Sequence, residues 1–152
     1  PSRDEPEVLR DAALALRDLL LEHDVKSWVK TSGSKGFHIV TRLAPKATFG
    51  DSSHFADLVA NILVQRKPKQ LTLEFSKADR KGRILIDTGR NRQGGTFGAA
   101  YTVRPKPGAP VSAPCTWEEV ERGDAQPQTF TLRSMPARLA KVGDLWKDLG
   151  KR

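Results

Sequence analysis

A short loop rich in glycine and hydroxyl groups carries the clearest chemical signal in the sequence. Its sequence is Thr-Ser-Gly-Ser-Lys-Gly over residues 31–36, and His38 follows two positions later. Glycines let backbone N–H groups turn toward an anion, hydroxyls donate hydrogen bonds to phosphate oxygens, and a lysine supplies a positive charge. The pattern therefore predicts a phosphate-binding loop. Its predicted binding residues are Ser32, Gly33, Ser34, Lys35, Gly36 and His38.

This loop is not a Walker loop. The spacing Gly-x-x-x-x-Gly-Lys-Ser/Thr is absent, and the segment that follows is typical of a strand rather than a helix. The alternative is an ordinary Gly/Ser turn with a surface lysine, which the pattern alone favours more often than a phosphate site. A functional interpretation therefore depends on a second feature.

Asp87 is that second feature, because it ends the apolar run Ile84-Leu85-Ile86 where a strand is predicted to end. A carboxylate in this position can face a cleft and hold a divalent cation, so Asp87 is the candidate catalytic and metal-binding residue. A lone aspartate more often caps a turn, and that alternative stays open. Basic residues on both sides of Asp87 fit a metal-bound triphosphate flanked by charge-neutralising side chains. They are Arg80, Lys81, Arg83, Arg90 and Arg92.

The elements that must position these residues follow from hydrophobic periodicity, caps and breakers. Helices are predicted over residues 5–22, 51–65, 134–139 and 144–149. Strands are predicted over residues 27–30, 37–41, 71–75, 83–87 and 96–103. Together they indicate an α/β (α+β) fold with a mixed, largely antiparallel central sheet flanked by helices.

Two further segments are predicted from local chemistry. Four prolines and a glycine in residues 104–114 predict an extended segment laid over the surface. Thr116 and Glu119 have the spacing of a capping box, which predicts a short helical turn after that segment.

Composition bounds the class of protein. At 152 residues and 38% hydrophobic content, the chain can bury the core of one domain or most of one. The 26 Lys and Arg residues exceed the 18 Asp and Glu residues, and the net charge of +8 favours a polyanion such as nucleic acid, nucleotide phosphate or an anionic membrane. A merely soluble basic surface is the alternative.

Cysteine usage and hydropathy argue against two classes. Cys115 is the single cysteine, which excludes an internal disulfide and fits a reducing cytoplasm. No apolar run approaches about 20 residues and no signal-like start is present, so membrane-spanning and secreted proteins are disfavoured.

Three segments resemble the polymerase domain of bacterial ligase D in sequence, order and spacing. They are VKTSGSKGFH (29–38), GRILIDTGRN (82–91) and AYTVRPKPGAPVSAPCTWEE (100–119). The resemblance covers nearly the whole chain. It implies a primase-polymerase fold of the archaeo-eukaryotic primase superfamily, and a nucleotidyltransferase that adds nucleotides to DNA 3′ ends during non-homologous end joining of double-strand breaks. It also implies Mn²⁺ or Mg²⁺ as cofactor and nucleoside triphosphates as substrates.

The resemblance also implies partners and roles for residues. The partners are DNA ends with a 3′ overhang or gap, and also Ku and a ligase domain, in the bacterial cytoplasm. Asp87 matches the third of three metal-binding acids of the family. Residues that match the triphosphate-binding positions are Ser32, Lys35 and His38. Arg90 and Arg104 fall where the family places polar or basic groups near nucleotide or primer. In the complete enzyme we expect four arginines to line a positive cleft, namely Arg83, Arg90, Arg92 and Arg104.

The sequence departs from the family in one motif. It contains no Asp-x-Asp-Pro, and Pro1 resembles the proline that should follow the two acids. We therefore expect those acids upstream of this chain, with 1–152 as the larger C-terminal part of a single domain that is catalytically incomplete alone. The polymerase hypothesis also predicts that the 32–38 hairpin and Asp87 converge on one pocket.

Two alternatives from other functional classes stay open. The first is a non-catalytic nucleic-acid-binding module, in which basic loops contact phosphates and Asp87 is structural. The second is an end-joining scaffold that docks Ku or a ligase domain through residues 104–114.

Overall fold

The protein is represented by a computed structural model that describes residues 6–91 and 98–150. The helices are α1 (Pro6–Glu22), α2 (Phe49–Arg66), α3 (Lys77–Arg80), α4 (Trp117–Arg122) and α5 (Met135–Val142). The strands are β1 (Ser27–Thr31), β2 (Phe37–Thr41), β3 (Leu71–Thr72), β4 (Ile84–Leu85) and β5 (Pro114–Cys115). Three of these strands form an antiparallel sheet and the other two a parallel pair, which confirms the predicted α/β class. In the described ranges, no helix is long and apolar enough to cross a bilayer.

The chain divides into two compact units. We call the first, drawn from Pro1–Val25 and Leu43–Phe97, the helix-pair unit, and the second, drawn from Lys26–Arg42 and Gly98–Arg152, the hairpin unit. The prediction that 1–152 is part of one domain stays a prediction, and each unit is described by itself.

The helix-pair unit is built on two amphipathic helices. Helix α1 packs against α2, and α2 contacts β3, which pairs in parallel with β4. Leu19, Leu63, Leu71 and Ile84 are buried, as the apolar periodicity of these segments predicts. These contacts form the apolar core of the unit.

Helix α2 begins earlier than the predicted start at residue 51. Thr48 is the N-cap, its Oγ1 accepts the backbone N–H of Asp51 at 3.1 Å, and the Asp51 carboxylate accepts the N–H of Thr48 at 2.9 Å. Asp51 is thus the N3 member of a capping box rather than the cap itself.

The strands predicted over residues 71–75 and 83–87 are both shorter in the structure. Strand β3 stops at Thr72, whose Oγ1 accepts the N–H of Glu74 at 3.1 Å and turns the chain. The basic connection that follows contains helix α3, which the sequence analysis did not predict. Helix α3 ends at Arg80, and Lys81 at its C-cap adopts the left-handed conformation at φ 50°.

The hairpin unit is centred on β1, with the sheet order β2-β1-β5. Strands β1 and β2 form the predicted antiparallel hairpin, in which Lys30 lies opposite His38. All five residues of β1 are buried. The central strand therefore carries side chains into the interior on both faces.

The surface position predicted for residues 104–114 is wrong for its second half. Residues 110–115 are buried, and Pro114–Cys115 pair with β1 as strand β5. Thr31 explains the burial, because its Oγ1 accepts the N–H of Ala113 and donates to the carbonyl of Val111, both at 3.0 Å. These contacts satisfy backbone groups of the segment that would otherwise be buried without a hydrogen bond.

Two other predicted elements are absent from the described residues. The strand predicted over 96–103 is interrupted by Tyr101 at φ 70°, and residues 96–97 lie outside the described ranges. The helix predicted over 144–149 is a series of turns, in which the N–H groups of Lys147 and Leu149 donate to the carbonyls three positions earlier, those of Asp144 and Trp146.

The remaining predictions for the C-terminal region are confirmed. Thr116 and Glu119 form the capping box of α4, and Ser134 precedes α5, which extends to Val142.

Candidate functional site

The loop between β1 and β2 is held closed by the hydroxyl of Ser32. Its Oγ accepts the backbone N–H groups of Ser34 and Gly36, each at 3.0 Å, and its own N–H donates to the Gly36 carbonyl at 2.9 Å. Two of the amides that were predicted to face phosphate are therefore engaged inside the loop. The Ser32 hydroxyl proton is still available, because a hydroxyl that accepts two bonds can also donate one.

Arg104 lies across this loop at Gly33. A Cβ atom added to Gly33 would lie 2.6 Å from Cγ of Arg104 and 3.3 Å from the backbone N of Ser112. Gly33 also has φ +70°, a conformation that favours glycine. Glycine is therefore required here on two grounds. The structure thus brings Arg104 to the loop, as the positive-cleft hypothesis needs.

His38 enters the same cluster from β2. Its Nδ1 lies 2.8 Å from Nζ of Lys30, the residue opposite it in the hairpin register. The ring is half-buried, whereas the side chain of Lys35 at the loop tip is exposed. The loop, His38 and Arg104 thus form one group of donors within the hairpin unit.

Lys30 is the functional candidate that the sequence analysis missed. It is 0% exposed, and its ammonium contacts the Gly98 carbonyl at 2.6 Å as well as Ser112 Oγ. Burial, and secondly the positive charge of Arg104, lower the pKa of Lys30 to about 8. The available signal was a lysine directly after the apolar pair Trp28-Val29 in a short strand, opposite a histidine across a short hairpin loop.

Asp87 lies in the helix-pair unit, two residues after the end of β4. It is exposed, and its Oδ1 accepts the N–H of Gly89 at 2.8 Å, so it also makes the turn contact that was the alternative hypothesis. Thr88 anchors this turn to α2, because its Oγ1 donates to Asp57 at 2.7 Å. A carboxylate bound through one oxygen can still bind a cation through the other.

A complete metal site is not formed by the described ranges. Within 6–91 and 98–150, no three His, Cys, Asp or Glu side chains are grouped so that they could hold a metal ion. Asp87 fits such an ion only as one oxygen ligand. Metal binding by Asp87 stays a prediction.

The other predicted arginines lie with Asp87 in the helix-pair unit. The Arg83 guanidinium donates to the carbonyls of Arg80 at 2.8 Å and Asp79 at 3.0 Å, near the end of α3. Arg90 is exposed, and Arg92 is outside the described residues. The predicted convergence of Asp87 with the 32–38 hairpin concerns two units that are described separately, and it stays a prediction.

Comparison with known proteins decides the family. A sequence profile described as "LigD, primase-polymerase domain" matches residues 1–146. The chain belongs to the LigD primase-polymerase domain family. This membership confirms the resemblance that the three sequence segments indicated.

Curated relatives of this LigD primase-polymerase chain come from several bacteria. The multifunctional non-homologous end joining protein LigD of Pseudomonas aeruginosa is 33% identical over 132 residues, which are 86% of this chain and 16% of the relative. The bifunctional LigD of Bacillus subtilis is 30% identical over 144 residues, which are 94% of this chain and 23% of the relative. The chain therefore spans less than a quarter of the length of either relative.

A solved structure supports the same family at the level of the fold. The polymerase domain of Mycobacterium tuberculosis ligase D, determined in complex with DNA, superposes with a TM-score of 0.86 at 31% identity. The match covers 94% of this chain and 49% of that chain. The LigD polymerase fold is thus shared across nearly all of the present chain.

Proposed function

We propose that this chain is part of a DNA-end-directed nucleotidyltransferase, a primase-like polymerase that adds nucleotides to a 3′ end in double-strand-break repair. The observation that carries the proposal is the contact of Arg104 with Gly33 in the loop that Ser32 closes, with His38 on the adjoining strand, in a chain of the LigD primase-polymerase family. This arrangement gives one loop and its neighbouring residues a hydroxyl, an imidazole and an arginine. Such donors suit the oxygens of a triphosphate.

Each residue of the loop has a distinct proposed role. The Ser32 hydroxyl donates its remaining hydrogen to a phosphate oxygen, and the exposed ammonium of Lys35 adds charge. Arg104 presents a planar fork to two oxygens, and His38 donates from the strand. The hydrogen bonds of Ser34 and Gly36 to Ser32 Oγ hold this geometry before nucleotide arrives.

Asp87 is proposed to hold a divalent cation, Mn²⁺ or Mg²⁺. The Gly89 N–H contact orients its carboxylate, and its exposure leaves it open to solvent. A bound cation would neutralise charge on the triphosphate. The family resemblance implies two further acids as ligands. Arg83 and Arg90 are proposed to contact the nucleotide or the DNA backbone.

DNA ends are the proposed polymeric partner. The net charge of +8 favours a polyanion, and the M. tuberculosis polymerase domain was solved bound to DNA. We extend the proposal to ends with a 3′ overhang or gap, to nucleoside triphosphates as substrates, and to Ku and a ligase domain as partners in the bacterial cytoplasm. The names of the relatives, which place LigD in non-homologous end joining, support this setting.

The test compares Lys35→Ala with the control Lys141→Ala in the full-length protein. Both lysines are exposed and lie in the hairpin unit, so the two variants lose the same charge. We expect Lys35→Ala to weaken binding of ATP and to slow Mn²⁺-dependent extension of a primer, while Lys141→Ala retains both. Equal affinity of the two variants for ATP would overturn the loop assignment. Salt-sensitive DNA binding without any extension would favour the non-catalytic module instead.

A further inference from the structure

The buried ammonium of Lys30 has a defined acceptor for each of its protons. The Gly98 carbonyl lies 2.6 Å away and accepts one of them. Ser112 Oγ accepts the second, because the proton of that hydroxyl is donated to the Thr31 carbonyl at 2.9 Å. The third is directed to His38 Nδ1 at 2.8 Å. An ammonium donates three hydrogen bonds and accepts none.

This arrangement determines which nitrogen of His38 carries hydrogen. Since Lys30 can only donate, Nδ1 of His38 must be the acceptor of their contact. A neutral imidazole then carries its single hydrogen on Nε2. The ring is therefore held as a donor at Nε2.

Burial of the Lys30 ammonium is energetically costly. The residue is 0% exposed, and the guanidinium of Arg104 repels it. Removal of a charge from water is unfavourable, and such groups concentrate at functional sites. An apolar residue at this position would avoid that cost.

We propose that Lys30 is a positioning residue that fixes His38 as an Nε2–H donor for the triphosphate. This inference rests on the proposed function, because it assigns His38 to the phosphates. Lys30 acts through the histidine. Its contacts with Gly98 and Ser112 hold the ammonium in the position from which it reaches His38. Its role is distinct from that of Lys35, which is exposed and is proposed to contact nucleotide directly.

The first experiment uses long-range ¹H–¹⁵N NMR of the protein without nucleotide. We expect wild-type His38 to carry its hydrogen on Nε2, and Lys30→Met to shift the ring nitrogens toward a mixture of tautomers. Lys141→Met is the control. Because Lys30→Met removes a buried group and can impair folding, His38→Ala provides the same test from the other side by moving the Lys30 Nζ resonance. A hydrogen on Nδ1 in the wild type, or an Nζ signal unchanged by His38→Ala, would overturn the inference.

The second experiment measures ATP binding in a double-mutant cycle. Lys30→Met removes the charge-assisted hydrogen bond that orients His38. We therefore expect it to weaken ATP binding about tenfold when His38 is present. In the His38→Ala background the same substitution should have a clearly smaller effect on ATP binding, because the imidazole that Lys30 orients is already absent. An undiminished effect would contradict action through His38. If the wild type binds no ATP while His38 shows the expected tautomer, the proposed function fails and the Lys30 contact stands.

Discussion

Nζ of Lys30 on β1 lies 2.8 Å from Nδ1 of His38, its cross-strand neighbour on β2. This contact links an interior charge to the wall of the proposed nucleotide site. The charged and titratable groups around Lys30 include His38 and Arg104, and burial followed by Arg104 lowers its pKa to about 8. The proposed site therefore has a group that titrates near pH 8.

Affinity for ATP should fall as pH rises through this value. A bound triphosphate favours the charged ammonium and raises the pKa of Lys30, so the complex binds the proton more tightly than the free protein does. Binding is then strongest below pH 8 and falls by about tenfold between about pH 7 and about pH 9. Calorimetry with ATP in metal-free buffer measures the change. Lys30→Met should remove this dependence, and a persisting slope would assign it to another group.

Replacement of Gly33 by alanine should destabilise the loop and weaken nucleotide binding. The added Cβ would lie 2.6 Å from Cγ of Arg104, and the alanine would have to adopt φ +70°. We therefore expect a loss of about 2–3 kcal/mol in the free energy of unfolding.

Gly108→Ala is the matched control for Gly33→Ala. Gly108 has φ +83° with nothing within 4 Å of the added atom. Gly108→Ala should therefore lose only about 1 kcal/mol of stability, from the left-handed backbone conformation alone. Urea unfolding measures both variants. Equal losses would mean that Arg104 moves aside without cost.

Asp87→Asn should abolish primer extension while leaving the fold intact. The Asn amide oxygen can still accept the Gly89 N–H, so stability should change by less than about 0.5 kcal/mol. Loss of a charged metal ligand should lower the rate of Mn²⁺-dependent extension by about 100-fold or more.

Asp79→Asn, an exposed aspartate of α3 in the same unit, is the control for Asp87→Asn and should extend primers at the normal rate. Normal extension by Asp87→Asn would instead leave Asp87 with its turn contact as its only role.

The ion pair between Glu119 and Arg138 should make folding stability sensitive to acid. Arg138 donates to both carboxylate oxygens, at 2.7 and 2.8 Å, and both side chains are mostly buried. Burial raises the pKa of Glu119, but the hydrogen bonds and charge of Arg138, together with Thr116, outweigh it and lower the pKa below 4.5. The stabilisation is therefore present above pH 4.5 and is lost as pH falls through the lowered value.

Glu119→Gln tests this sign. We expect it to cost about 1–3 kcal/mol near neutral pH and less in acid, where the wild-type carboxylate is itself protonated. Glu118→Gln, an exposed neighbour in α4, should change stability little at either pH. A constant cost of Glu119→Gln at all pH values would exclude the ion pair as its cause. Urea midpoints at two pH values suffice for the comparison.

The sequence predicts the parts of the fold that depend on local pattern. Helix α1 follows from its apolar periodicity, and the β1–β2 hairpin follows from two apolar segments around a glycine-containing loop. The α4 capping box is also local, because Thr116 and Glu119 are three positions apart.

Features that depend on distant contacts were not predictable in the same way. Prolines in residues 104–114 suggested a surface segment, yet contacts to Thr31 bury the second half. The role of Lys30 could not be predicted from the sequence, because its partners Gly98 and Ser112 are far along the chain. The turn contact of Asp87 with Gly89 is local, by contrast, and it was one of the two alternatives that the sequence offered for Asp87.

Strand β1 acquires its second neighbour late in synthesis. The hairpin emerges from the ribosome long before residues 110–115, which cover Thr31 and place Ser112 beside Lys30. Until then the lysine ammonium stays hydrated, and His38 is without the partner geometry that orients its ring. The nascent hairpin therefore contains the loop but lacks the contacts that Arg104 and Ser112 make with it and with Lys30. Affinity for phosphate should develop only after the C-terminal half of the chain has been translated.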